Sequence, residues 1–240
     1  MKVPFFILRP FLKFYIHIYK IKLDDFDIDI RKVKTFNEFF VRKLKSGARD
    51  FNGELISPSD SIITDFGLLS GNNNTFEIKG MDCEYESLMN SIQDVHMKSF
   101  AIFYLSPADY HRFHSPFDFK VDNISYIPGK LHSVKPKRTD KYSDLYCLNR
   151  RMILKGKTKF GRATIILVGA MVVGKIVLPA FKLKKRKRFQ TMDLDIEFKA
   201  GEEIGYFELG STIILLMEND ELNRINFNKN DHVNVGQNLF

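Results

Sequence analysis

A pair of histidines three residues apart, His111 and His114, has the residue types that proton transfer requires. The pair lies in the stretch DYHRFHSP, residues 109–116, directly after the apolar run 100–105. Imidazole changes its charge near neutral pH, and catalytic groups are common in loops that follow buried strands. The stretch predicts a loop or short turn that carries an active site, and a structurally hydrogen-bonded pair is the alternative. We expect no metal site, because the pair and one nearby Asp lack a convincing third ligand.

Two other short stretches combine a turn with a reactive side chain. In the first, Gly210 precedes Ser211 and the apolar run 213–216, so a hydroxyl follows a residue that has no side chain to block its backbone carbonyl. In the second, SPSD at residues 57–60, Asp60 ends a turn between two apolar runs. Each stretch on its own predicts only a turn.

Together, the three stretches resemble the signatures of the phosphatidylserine decarboxylase family, which are an SPxDG turn, a DYHRxHxP segment and a late LGST. Further matches extend this resemblance over most of the chain. Residues 39–49 match the family pattern FFxRxLKxGAR, and residues 128–136 match PGxLxSVNP. Residues 168–174 match VGAxxVG, and residues 199–212 match the segment that leads into the family's cleavage site.

Ser61, Arg150 and Phe119 are among the positions that depart from the family patterns. Ser61 replaces the Gly of the first signature, Arg150 replaces the Glu of an Asn-Glu-Arg triplet, and Phe119 stands where Gly is common. Ser61 removes backbone freedom from its turn, and Arg150 excludes any ion pair that a Glu would form there. None of the three replaces a residue to which the family's chemistry is assigned.

Loss of carbon dioxide from an amino acid leaves a carbanion, which needs an electron sink that no ordinary side chain provides. The resemblance implies that this sink is a pyruvoyl group made from Ser211. Its hydroxyl would attack the Gly210 carbonyl, and β-elimination with loss of ammonia would leave a ketone on the new N-terminus. The cut between these two residues would give a large chain, residues 1–210, and a small chain, residues 211–240.

The resemblance assigns Asp60, His114 and Ser211 to the triad that cuts the chain, with His114 as the base that Asp60 orients. His111 is the candidate acid that reprotonates the α-carbon after carbon dioxide leaves. The function implied is decarboxylation of phosphatidylserine to phosphatidylethanolamine by a pyruvoyl-dependent carboxy-lyase. The alternatives are a Ser-His-Asp lipid hydrolase and an unprocessed basic lipid-binding module. Ser211 lacks the G-x-S-x-G elbow of many such hydrolases.

Short β-branched or aromatic runs separated by turn residues predict a mostly β body from about residue 51 onward. The predicted strands are residues 55–63, 75–78, 100–105, 163–178 and 212–217, with exposed loops at 72–74 and 136–143. The expected fold class is α+β, a predominantly antiparallel β body with N-terminal amphipathic helices. We divide the chain into a membrane-associating helical segment, residues 1–46, and a catalytic β-rich domain, residues 47–240.

The first 23 residues are apolar but contain five Lys or Arg residues, so they do not predict a transmembrane helix. A helix that begins at Pro10 would place a basic stripe beside aromatic side chains. This pattern is typical of a helix that lies on an anionic membrane surface, and a helix docked on its own domain is the alternative. A second helix is predicted from a capping box at Thr35 and Glu38 to Gly47.

Basic residues outnumber acidic ones by 37 to 29, and this charge favours an anionic partner. With the resemblance, it points to phosphatidylserine in an anionic membrane and to a peripheral protein on the cytoplasmic face of the cell membrane. The basic cluster 182–188 is a solvated hairpin loop, a headgroup contact or a site of adventitious nucleic-acid binding, and no recognition motif supports a genuine nucleic-acid role. Cys83 and Cys147 do not predict a disulfide framework or a zinc site. A homodimer is implied only by the resemblance.

Overall fold

The long apolar runs of the sequence form an eight-stranded antiparallel sheet at the centre of the protein. The computed structural model describes residues 5–69, 75–78, 81–90, 96–135, 145–170, 175–181, 188–208 and 211–240. The strands in chain order are β1 (Phe26–Asp27), β2 (Lys43–Leu44), β3 (Ser61–Leu68), β4 (Thr75–Ile78), β5 (Met81–Glu84), β6 (Ser99–Leu105), β7 (Arg112–His114), β8 (Phe119–Ile127), β9 (Arg151–Thr158), β10 (Gly161–Gly169), β11 (Ile176–Val177), β12 (Gln190–Phe198), β13 (Glu203–Phe207), β14 (Ser211–Met217) and β15 (His232–Val233).

The central sheet has the spatial order β12-β8-β9-β10-β14-β6-β3-β15, and β14 lies between β10 and β6. Alternate residues of β14 enter two different cores: Ile213 and Leu215 pack in the larger core, and Ile214 and Leu216 pack in the smaller one. Because both faces of this strand are covered, all seven of its residues are buried. This explains why its sequence is continuously apolar rather than alternating.

Different layers cover the two faces. A three-stranded sheet of order β11-β13-β7 contributes Phe113, Ile204 and Phe207 to the larger core. Two short helices, α3 (Tyr85–Met89) and α4 (Leu145–Leu148), cover the smaller core. The observed architecture confirms the predicted fold class: an α+β protein with a mostly antiparallel β body and an N-terminal helix.

The N-terminal helix α1 spans Phe5–Tyr19, so the prediction that it begins at Pro10 was wrong. Pro10 lies inside the helix, where it removes one backbone hydrogen bond. Burial of Leu8 and Leu12 against the adjacent segment offsets this loss. At the other end, Lys20 adopts a positive φ of 51°, and Ile21 donates its backbone N–H to the Ile16 carbonyl at 3.0 Å. This is a Schellman-type helix end.

The second predicted helix is shorter than expected. Helix α2 spans only Phe36–Phe40, and the chain enters β2 before reaching Gly47. Thr35 caps it as predicted, accepting a hydrogen bond from the Glu38 backbone N–H at 3.1 Å. The Glu38 carboxylate, however, accepts from the backbone N–H of Lys34 at 2.8 Å, so the reciprocal half of the capping box is displaced by one residue.

The strand predictions were correct for residues 75–78 and close for 100–105 and 212–217. The stretch 55–63 is mostly loop, with β3 beginning at Ser61, and the stretch 163–178 contains two strands, β10 and β11. Five groups of predicted features lie outside the described residues. They are Gly210, the loops 72–74 and 136–143, residues 173–174, and residues 182–187 of the basic cluster.

Candidate active site

Ser211 is the first residue of β14, and its backbone is held between two neighbouring strands. It pairs with Leu105 of β6 on one side and with Gly169 of β10 on the other. The side chain is completely buried, and its Oγ has no hydrogen-bond partner among the described residues. An unpaired buried hydroxyl costs roughly 1–3 kcal/mol, so such an atom indicates a functional role.

His111 is also completely buried. Its Nδ1 lies 2.9 Å from the Asp109 carbonyl oxygen. Because a carbonyl only accepts hydrogen bonds, Nδ1 carries the hydrogen and Nε2 is left with a free lone pair. That Nε2 has no partner in the part of the chain that the structure describes. Burial lowers the pKa of His111 to about 4, so at neutral pH the ring is an uncharged base.

His114 lies in β7, whereas the sequence predicted a loop or turn for this residue. Its Nδ1 donates to the Gly201 carbonyl at 2.7 Å, so its Nε2 accepts the Tyr110 hydroxyl at 3.0 Å. Burial lowers the pKa of His114, and this ring is therefore also neutral near pH 7. Gly201 supplies its carbonyl from a turn with φ +82°, where a Cβ would lie 2.7 Å from Phe51. Only glycine fits this position.

Asp60 is buried in the loop that precedes β3. One carboxylate oxygen accepts the backbone N–H of Val235 at 2.8 Å, and the other lies 3.4 Å from the Arg49 guanidinium. Burial raises the pKa of Asp60, and these two contacts oppose the increase. Arg49 also pairs with Asp25, so it connects the Asp60 loop to the N-terminal segment.

Asp109 fixes the backbone that holds His111. One of its carboxylate oxygens accepts the Ser106 backbone N–H at 2.6 Å, and the other lies 3.0 Å from His232 Nε2. This hydrogen bond raises the pKa of His232. The Asp109 carbonyl, which accepts the His111 ring N–H, also accepts the buried Arg42 guanidinium at 3.1 Å. Burial lowers the pKa of Arg42 to about 10.

The structure brings some of the expected catalytic residues together and keeps others apart. The His114 backbone N–H donates to the Pro58 carbonyl at 2.8 Å, so His114 lies against the loop that carries Asp60. Within the described residues, however, no hydrogen bond joins the His114 ring to Asp60 or to Ser211. His111 and His114 are three positions apart in an extended stretch, roughly 10 Å along the chain.

His111 directly precedes β7 and lies beside the end of β13 from which the chain continues toward Ser211. The Phe207 backbone N–H donates to the His111 carbonyl at 2.9 Å, whereas Glu203 pairs with His114 at the other end. Phe207 precedes Ser211 by four residues. His111, whose Nε2 has no partner among the described residues, is therefore nearer than His114 to the Phe207 end of β13.

A cavity of about 420 Å³ opens beside Ser211. Its walls are mostly aromatic or aliphatic and come from both the N-terminal segment and the β body. The lining residues are Phe11, Tyr15, Tyr19, Phe36, Phe40, Tyr104, Leu105, Pro107, Ser133, Val134, Lys135, Ala170 and Ser211. Phe40 also contacts the His111 ring, at 3.9 Å between ring centroids. The Tyr15 hydroxyl donates to the Pro107 carbonyl at 2.8 Å and fixes α1 as one wall.

The departures from the family patterns at Ser61, Phe119 and Arg150 are compatible with this arrangement. Ser61 is the first residue of β3 and has no positive φ, so the extra freedom of Gly is not needed there. Phe119 is buried in the larger core, edge-on to Phe117. Arg150 forms no ion pair among the described residues. Its neighbour Asn149 instead holds His132 through two hydrogen bonds, of 2.7 and 2.8 Å.

Sequence reasoning missed several residues of the site. Arg42, Arg49 and Tyr110 lie within stretches that match the family patterns, but the stretches alone did not indicate which partner each residue contacts. Lys135 lies in a matching stretch too, at a position where the pattern has Asn. His232 gave no signal, because its partner Asp109 is 123 residues away in sequence.

The fold and the site define a β-rich protein whose candidate reactive group is a serine buried at the start of a central strand, beside an apolar cavity. The family model described as "Phosphatidylserine decarboxylase" matches residues 36–240. The chain belongs to the phosphatidylserine decarboxylase family.

Curated relatives named phosphatidylserine decarboxylase proenzyme are similar over most of the chain. The protein from Francisella philomiragia subsp. philomiragia is 34% identical over 224 residues, which cover 89% of this chain and 79% of the relative. The protein from Francisella tularensis subsp. mediasiatica is 35% identical over 240 residues, with 95% and 83% covered. The protein from Francisella tularensis subsp. novicida is 34% identical over 245 residues, with 93% and 86% covered.

The pKa of His111 predicts a specific pH dependence of stability. Since the pKa is about 4 in the folded protein and 6.5 as the ordinary value, the unfolded chain binds more protons between these two pH values. Stability should therefore fall as the pH decreases through this window, by roughly 3 kcal/mol from this residue. The amide of the His111→Asn variant can donate to the Asp109 carbonyl but does not titrate. The free energy of unfolding of this variant should therefore decrease less between pH 7 and pH 4.5 than that of the unmodified protein.

Urea unfolding at a series of pH values measures this difference. His17→Asn, on the exposed part of α1, serves as the control and should follow the unmodified protein. Parallel curves for all three proteins would contradict the assignment of a buried, neutral His111.

Proposed function

We propose that the protein decarboxylates phosphatidylserine to phosphatidylethanolamine with a pyruvoyl group that self-cleavage generates from Ser211. The observation that carries the proposal is the Ser211 hydroxyl, which is buried in the wall of a largely apolar cavity and has no hydrogen-bond partner among the described residues. Membership of the family supports the same reaction. A reactive group formed at this position would face a space that excludes most water.

Self-cleavage begins when the Ser211 hydroxyl attacks the carbonyl carbon of Gly210. The peptide bond between the two residues breaks as an ester to Ser211 Oγ forms. Elimination then removes the α-proton of residue 211 and expels the Gly210 carboxylate, and hydrolysis of the resulting enamine releases ammonia and leaves a ketone. Gly210 lies outside the described residues, so its part rests on its lack of a side chain.

His114 is the proposed base for the attack, with Asp60 as its supporting acid. Its Nε2 carries no hydrogen, as a general base requires, but that atom now accepts the Tyr110 hydroxyl. The proposal therefore requires His114 to exchange this contact for Ser211 during processing. The Pro58 carbonyl, which holds the His114 backbone, provides the structural link to the Asp60 loop.

Once formed, the ketone supplies the electron sink for carbon dioxide loss. The aromatic cavity wall favours that loss, because a carboxylate that leaves water for apolar surroundings is destabilised relative to neutral carbon dioxide. His111 has its proposed role here. Its free Nε2 takes a proton from the substrate ammonium group and later returns it to the α-carbon. His111 takes up one proton and releases one proton in each cycle, so it ends the cycle uncharged.

An assay of carbon dioxide release tests the function. With carboxyl-labelled phosphatidylserine in detergent micelles, the purified protein should release labelled carbon dioxide, and Ser211→Ala should release none. The substitution deletes one buried oxygen and keeps the side-chain position, so the variant should remain folded. Release of fatty acid would instead indicate a hydrolase, and unchanged lipid with an uncut chain would indicate a binding module.

The two histidines should separate processing from turnover. His114→Ala should leave an uncut chain without activity, whereas His111→Ala should be cut and then decarboxylate at least about 100-fold more slowly, as expected for the loss of a general acid–base group. Gel electrophoresis after timed incubation measures cutting, and single-turnover carbon dioxide release measures the later steps. Normal cutting in His114→Ala would remove that residue from the processing role.

The surface of α1 supports peripheral binding to a membrane. Leu8 and Leu12 face the domain, while Phe6, Phe14 and Ile18 are 75%, 62% and 52% exposed. Such a helix, apolar on its outward side, is suited to the boundary between headgroups and acyl chains. None of the described helices is long and apolar enough to cross a membrane. We propose that the cavity, one wall of which is α1, lies at the surface of the cell membrane, on the cytoplasmic face that the family resemblance implies.

Vesicle sedimentation tests this placement. Phe14→Ser combined with Ile18→Ser should reduce binding to vesicles that contain anionic lipid by about tenfold or more, because two exposed apolar side chains no longer enter the interface. Phe189→Ser combined with Leu148→Ser changes two comparably exposed residues of the β body and serves as the control. Equal binding by both double variants would contradict a membrane role for α1.

A further inference from the structure

The cavity beside Ser211 has an unequal distribution of charge. Among its described lining residues, Lys135 is the only basic side chain, and none is acidic. Lys135 is exposed and forms no ion pair with any described residue. An ammonium group without an ion-pair partner among the described residues therefore stands at the edge of a cavity whose other described walls are mostly apolar.

The backbone that leads to Lys135 is firmly positioned. Asn149 accepts the His132 backbone N–H at 2.7 Å and donates to the His132 carbonyl at 2.8 Å. The Lys130 backbone N–H donates to the Leu148 carbonyl at 2.9 Å, and Val134 is buried in the smaller core. The backbone before Lys135 cannot move away from the cavity without breaking these contacts, so the residue itself stays at the cavity edge.

Lys135 also departs from the family pattern that its stretch resembles. It stands where the pattern PGxLxSVNP has Asn, so a cation replaces a neutral amide at the cavity wall. The replacement adds a positive charge without adding a partner for it among the described residues. This makes recognition of an anionic group of the substrate the simplest physical explanation.

The substrate headgroup contains two anionic groups, a carboxylate and a phosphodiester. A cation on the carboxylate would stabilise the ground state more than the transition state, because the carboxylate loses its charge as carbon dioxide leaves. A cation on the phosphodiester, which does not react, would provide binding energy without this penalty. We propose that Lys135 binds the phosphodiester of the substrate and thereby sets its affinity; this inference rests on the proposed function.

Competition in neutral detergent micelles tests the proposal, because such micelles remove the contribution of membrane charge. Glycerophosphoserine carries the amine, the carboxylate and the phosphodiester, whereas O-hexyl-L-serine lacks the phosphodiester. In Lys135→Gln, the inhibition constant of glycerophosphoserine should increase about tenfold, as expected for one lost charge-assisted contact. That of O-hexyl-L-serine should change less than about twofold, and kcat for phosphatidylserine should be retained.

Lys130→Gln is the matched control, since it removes the same charge from an exposed lysine of the same segment that does not line the cavity. Lys135→Arg should retain most of the affinity for glycerophosphoserine. Before assay, gel electrophoresis should establish that all variants are cut to the same extent.

Three results would overturn the inference. They are equal inhibition constants for Lys135→Gln and Lys130→Gln, an equal loss of affinity for both competitors, and a fall in kcat without a change in affinity. An unmodified protein that is inactive on phosphatidylserine would instead refute the proposed function itself. The unmodified protein and Lys130→Gln therefore separate the two failures.

Discussion

The backbone of Ser211 is fixed between two strands, whereas its hydroxyl has no hydrogen-bond partner among the described residues, and the rest of the candidate site is arranged around this serine. Pairing with β6 and β10 fixes the residue between two central strands, so its hydroxyl cannot turn toward water. In a structural serine this arrangement would only reduce stability. It becomes useful if the hydroxyl is a reactant, because a strand end in the middle of the sheet keeps a new N-terminus in place after the chain is cut.

Asp109 connects this strand end to the proton-transfer groups. Its carboxylate accepts the N–H of Ser106, the residue after the Leu105 that pairs with Ser211, and its carbonyl orients the His111 ring. Both histidines donate through Nδ1 to a backbone carbonyl, which leaves each Nε2 as a base. Burial lowers both pKa values and keeps the rings neutral. Both rings are therefore uncharged near neutral pH, and each Nε2 carries a lone pair instead of a hydrogen.

Local sequence patterns predicted several strands and one helix cap, but they did not reveal the long-range polar contacts. The strand at 75–78 and the Thr35 cap follow from neighbouring residues, so sequence was sufficient. Strand β9 was missed because Arg151 and Lys155 interrupt its apolar run, although both are buried. Arg151 is accommodated by donating to backbone carbonyls of the two short helices and their flanks, which no local pattern reveals. The pairing of His232 with Asp109 is equally non-local.

The N-terminal segment is part of the candidate active site, because residues of α1 and α2 line the same cavity as Ser211. The central claim is that residue 211 becomes a ketone within this cavity. The intact mass of the purified protein, with and without a carbonyl-trapping reagent, tests it most directly. We expect two fragments, residues 1–210 and 211–240, with only the smaller one gaining the mass of the reagent. A single uncut chain that gains no reagent would contradict the account.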